Sequence, residues 1–66
     1  MMPLKVCQRN GSIWYVTVDN HRIASIWQDA KGYHLLDHDG DRVGFSRSLD
    51  GITALARRVY DEGILA

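Results

Sequence analysis

His34, Asp37, His38, Asp39 and Asp41 crowd into one short stretch, and imidazoles beside carboxylates are the side chains that hold metal ions or move protons. Their spacing argues against both uses. His34 and His38 are four apart, so on a strand they would share a face but stand about 13 Å apart along it, too far to chelate one ion unaided. The run Asp37-His38-Asp39-Gly40-Asp41 lacks the alternating order and the closing glutamate of a calcium loop. It is expected to be a polar hairpin tip, with Asp-Gly as its turn dipeptide. Cys7, the only cysteine, has no motif that places a histidine base beside it. It is expected to be a small buried hydrophobe on a strand. No phosphate loop, G-x-S-x-G or H-E-x-x-H is present. A chain of 66 residues also leaves little room for a substrate pocket. The expectation is a non-enzymatic protein with no catalytic, cofactor-binding or metal-binding residues and no small-molecule substrate.

The elements that would carry these groups follow from periodicity. Leu4 to Arg9 alternates apolar and polar residues, which is strand periodicity, and Pro3 suits the start of an edge strand because it cannot donate to a ladder. Asn10-Gly11 is a strong hairpin signal. As a two-residue loop it would set Arg9 opposite Ser12, Cys7 opposite Trp14, Val6 opposite Tyr15 and Leu4 opposite Thr17. Ile13 to Val18 is rich in β-branched and aromatic residues and reads as a central strand. The turn at Asp19-Asn20-His21-Arg22 would pair Val18 with Ile23, Val16 with Ser25 and Trp14 with Trp27. Tyr33 to Asp37 and Arg42 to Ser46 are the fourth and fifth strands, with Gly44 marking a bulge or a close backbone approach.

After Ser46 the apolar period changes from two to 3.6. Ser48 is a good N-cap and Asp50 lies in the first turn, where a carboxylate favours the helix dipole. Ile52, Leu55, Ala56 and Val59 form one apolar stripe. Gly63 is placed for a left-handed stop, with Ile64 expected to fold back on Val59. Residues 1–66 therefore read as one α+β domain. It is an antiparallel β-meander of four to five strands, followed by one C-terminal α-helix packed on one face.

That register assigns Leu4, Val6, Ile13, Tyr15, Thr17, Ala24 and Ile26 to one face. Lys5, Cys7, Trp14, Val16, Val18, Ile23, Ser25 and Trp27 fall on the other. Both faces are apolar at their centres, yet there is one helix to cover them. Either the sheet curls into a partly closed barrel, or one face stays uncovered and meets a partner, as large exposed apolar patches do. The expected interaction residues are Trp14, Val16, Val18, Ile23 and Trp27, since tryptophan is enriched where interfaces carry their energy. The partner would be another protein or a second copy of the chain, through this face or an edge strand. Size and the absence of catalytic motifs suit an accessory protein of a phage or mobile element.

Eight basic and eight acidic residues balance, without the basic excess usual in nucleic-acid binders. A balanced total can still hide a local patch. Three or more antiparallel strands followed by one C-terminal helix, over roughly residues 12–62, resemble the arm-binding domains of phage-type integrases and the plant AP2-type domain. The likeness is one of element order. It implies a sheet presented to the major groove of duplex DNA, with Arg9, Arg22, Lys31, Arg42 and Arg47 as phosphate or base contacts. Asp19, Asp29, Asp37, Asp39 and Asp41, interleaved with these, would repel phosphate.

With one cysteine there is no disulfide framework, and a reduced thiol points to the cytoplasm. No apolar run is long enough to span a bilayer, and MMPLKVCQ has no apolar core of signal-peptide length.

Overall fold

A computed structural model describes residues 4–65, so the expectation for Pro3 lies outside the described residues. Five strands come first: β1 (Leu4–Asn10), β2 (Ile13–Val18), β3 (His21–Gln28), β4 (Tyr33–Asp37) and β5 (Arg42–Ser46). One helix, α1 (Leu49–Asp61), follows. The strands lie in sheet order β1-β2-β3-β4-β5, each pair antiparallel. This is the α+β meander that the turn spacing implied. β1 and β5 remain edges, so the sheet is open and not a closed barrel.

The helix begins where the serine expected to cap it stands. Ser48 is extended, and its Oγ accepts the Gly51 amide at 3.0 Å. Ile52, Ala56 and Val59 are buried, and Leu55 packs beside them. Gly63 has φ +82°, and the amides of Gly63 and Ile64 donate back to the carbonyls of Tyr60 and Val59, each at 3.0 Å. The left-handed stop thus forms as expected. The side chain it delivers is different: Ile64 stays exposed, while the reversal brings Leu65 into the core.

The helix lies over β5 and β4. Gly44 makes this possible, because a Cβ there would stand 2.5 Å from Leu55 Cδ2. The core is built from Trp14, Val16, Ala24, Ile26 and Leu35 of the sheet, with Ile52, Ala56, Val59 and Leu65 above them. Trp14 also meets Tyr33 edge-on, ring centroids 5.5 Å apart.

The register differs from the expectation on both sides of β2. Asn10 belongs to β1 and pairs with Ile13, while its Oδ1 accepts the Ser12 amide at 2.9 Å. The only non-glycine residues with positive φ are Asp19 and Asn20, among the described residues. Asn10-Gly11 is therefore not a mirror-image turn, and the Asn10 side chain caps a turn of ordinary hand. The ladder recovers through an extra residue at Arg9, which leaves Gln8 opposite Trp14, Cys7 opposite Tyr15 and Val6 opposite Val16.

Asp19 and Asn20, with φ +53° and +63°, form the mirror-image loop instead, so Val18 pairs with His21. A second irregularity leaves Ile23 unpaired between Arg22 and Ala24. Val16 then faces Ala24, Trp14 faces Ile26 and Ile13 faces Trp27. Because side chains alternate with period two, these slips of one residue reverse β1 and β3 relative to β2. Leu4, Val6, Ala24 and Ile26 join Trp14, Val16 and Val18 on the side of the sheet that carries the helix. Lys5, Cys7, Ser25 and Trp27 join Ile13, Tyr15 and Thr17 on the opposite face.

Candidate functional site: the open face of the sheet

Three cross-strand rows make up the face that the helix leaves bare. The first runs Ile13, Trp27, His34, Phe45, and the second Cys7, Tyr15, Ser25, Leu36, Arg42. The third is Lys5, Thr17, Arg22. Trp27 and Phe45 are 46% and 41% exposed, against 7% for Trp14 beneath the helix. Cys7 is exposed too, contrary to the buried position expected of it, because the extra residue at Arg9 turns it away from the core.

Tyr15 organises the cations of this face. The Arg22 guanidinium lies 4.6 Å from its ring centroid and that of Arg9 lies 5.4 Å away, while Arg9 Nη1 donates to its hydroxyl. The Arg9 hydrogen bond, aided by both positive charges, holds the Tyr15 phenol below the usual tyrosine range. Such stacking orients a guanidinium and leaves most of its N–H fork facing away from the ring. Among the described residues, no carboxylate lies within ion-pair distance of Lys5, Arg9, Arg22 or Arg42.

His34 sits at the other end of the first row, against Phe45 at 5.1 Å between centroids. Its Nε2 is 2.8 Å from Asp29 Oδ2, and its Nδ1 is 3.4 Å from Arg42 Nη1. A neutral ring that donates from Nε2 and accepts at Nδ1 satisfies both partners. Asp29 is fixed by its turn, since Oδ1 accepts the amides of Lys31 and Gly32 at 2.9 and 3.1 Å. Those amides, the Lys31 one foremost, and His34 hold its carboxyl below the usual range.

A groove of about 330 Å³ opens on this face between Tyr15, Arg22, Ser25, Trp27 and Leu36, with Asp37 also in its wall. Trp27 Nε1 donates to Ser25 Oγ at 3.1 Å. That bond leans the indole along the strand toward Ser25 and leaves nearly half of the residue exposed.

The residues named from sequence are divided by this geometry. Trp14 and Val16 are buried in the core with the helix, Val18 is buried on the same face, Ile23 is half-buried, and Trp27 alone of the five is exposed. Arg9 and Arg22 come together on Tyr15 and Arg42 lies beside His34 on the same open face, whereas Lys31 and Arg47 lie at turns. Asp37, His38 and Asp39 approach within 4.8 Å of one another, but Asp37 Oδ1 already accepts the amides of Asp39 and Asp41 at 2.9 Å. It stitches the hairpin tip. His34 belongs with Asp29, not with that cluster. Sequence reasoning missed Tyr15, Phe45 and the Asp29–His34 pair. The alternation of Ile13, Tyr15 and Thr17 in β2 was the available signal, and the wrong register hid it.

No family model, curated protein or solved structure matches this chain.

Proposed function

We propose that this chain is a small, non-enzymatic binding module whose recognition surface is the open sheet face, and that its partner is nucleic acid. One observation carries the reading. Lys5, Arg9, Arg22 and Arg42 share that face with no carboxylate partner among the described residues, Arg9 and Arg22 over Tyr15 and Arg42 beside His34, and the same face exposes Trp27 and Phe45. Charge balance over the whole chain conceals this, because Asp19, Asp29, Asp37, Asp39 and Asp41 stand at turns and strand ends. Phosphate contacts supply much of the affinity of such modules and make it salt-dependent. The cytoplasm, where both nucleic acid and a reduced exposed Cys7 are at home, is the proposed location.

The test is association of the purified chain with labelled mixed-sequence DNA over a salt series. Arg22→Ala and Arg42→Ala should each weaken binding and lower the salt slope by about one. Unchanged migration at low salt and micromolar protein sinks the reading.

The exposed apolar groups Trp27 and Phe45 favour a second reading, in which the same face or the edge strand β1 meets a protein or a second copy of the chain. Sedimentation at rising concentration separates the two. A strict monomer that binds no hydrophobic dye removes the second.

A further inference from the structure

Trp27 and the groove beside it say more about the partner than the charges do. Resting on the nucleic-acid reading, we propose that the groove between Arg22–Tyr15 and Trp27 is a base-stacking site, and that the partner is single-stranded nucleic acid. An unpaired base stacks on the Trp27 indole, and the flanking phosphates meet Arg22, Arg9 and Arg42.

Three observations carry this. Trp27 is tethered by its bond to Ser25 Oγ, remains 46% exposed and lines the groove, so its indole is available to an incoming ring. Every base has a π face, but in a duplex those faces are covered by neighbouring bases, and only edges and phosphates are on offer. The groove, at about 330 Å³, matches the lower end of ligand clefts, about 300–1,000 Å³, so it has room for one planar ring. Finally, Arg22 lines the groove and Arg9 shares the Tyr15 ring with it, while Asp37 also lines the groove and Asp39 and Asp41 stand in the adjoining turn. A duplex carries a phosphate charge about every 1.7 Å of its axis and would bring some against those carboxylates. A flexible single strand can run across the cationic row and avoid them.

The experiment uses the full chain, a short oligothymidylate, and a blunt duplex of equal length. Tryptophan emission reports stacking, because Trp14 is buried and Trp27 is not. Oligothymidylate should quench the emission and bind more tightly than the duplex. Trp27→Ala should weaken that binding by at least about fivefold, as loss of one stacked base does. Trp27→Phe, which keeps a ring, should retain most of it. If Trp27→Ala fails to fold, the competition between single strand and duplex on the unaltered chain still decides. Equal or tighter duplex binding, or a single strand bound without quenching, overturns the stacking site and leaves the nucleic-acid reading standing. Failure of both probes to bind at low salt overturns both.

Discussion

Trp14 and Trp27 point to opposite faces of the same sheet, Trp14 paired with Ile26 and Trp27 with Ile13 on adjacent strands. One is a core residue at 7% exposure and the other a surface residue at 46%. Trp14→Ala should therefore cost about 3–5 kcal/mol, enough to unfold most of a domain this small. Trp27→Ala should cost under about 1 kcal/mol. Urea denaturation followed by circular dichroism measures both, and equal costs would contradict the register.

Gly44 and Leu55 set how closely the helix approaches the sheet. In Gly44→Ala the new methyl would stand 2.5 Å from Leu55 Cδ2, so Leu55 or the helix must move. Overpacking of this kind costs on the order of 1–3 kcal/mol. Combining it with Leu55→Ala should cost less than the two separate changes added together. Additive costs would show that the two positions do not compete for space.

Asp29 links stability to acid. Its carboxyl is held below the usual range in the folded chain, first by the Lys31 amide. The resulting stabilisation is present above the unfolded value, near about 4, and is lost as pH falls through the folded value. Since Asp29 is exposed the effect is modest. The urea midpoint of the unaltered chain should fall more steeply below about pH 4 than that of Asp29→Asn, and identical slopes would count against the turn geometry.

Tyr15 should ionise before an ordinary tyrosine, because Arg9 bonds its hydroxyl and both Arg9 and Arg22 favour the phenolate. A depressed acid contributes stability that is complete above its unfolded value of about 10 and is lost as pH falls through the folded value, so little is gained at neutral pH. In an ultraviolet titration of the phenols, Arg9→Ala should move the earliest transition upward toward about 10. No movement would remove Arg9 from Tyr15.

Local chemistry made much of this architecture readable. Strand bounds at Ile13–Val18, Tyr33–Asp37 and Arg42–Ser46, the Ser48 cap and the Ile52-Leu55-Ala56-Val59 stripe each depend on neighbours a few residues away. The candidate site was harder to read, because which residues share a face depends on pairing between strands. Asn10-Gly11 looked like a mirror-image turn, yet the Asn10 carboxamide captured the Ser12 amide and the loop took the ordinary hand. Asp19-Asn20, with no glycine, took the mirror-image form instead.

The sequence by itself determined that there would be a meander and a helix, since alternation, turn residues and capping groups act over one or two turns of chain. Only the tertiary structure decided which face the helix covers. That choice turns on single extra residues at Arg9 and Ile23, each of which reverses a strand's sidedness while leaving its pattern of apolar and polar residues untouched. Packing resolves it: with those residues unpaired, Leu4, Val6, Ala24 and Ile26 enter one core with Trp14 and Val16, and Arg9 and Arg22 gather over Tyr15 on the side left open, which also carries Trp27.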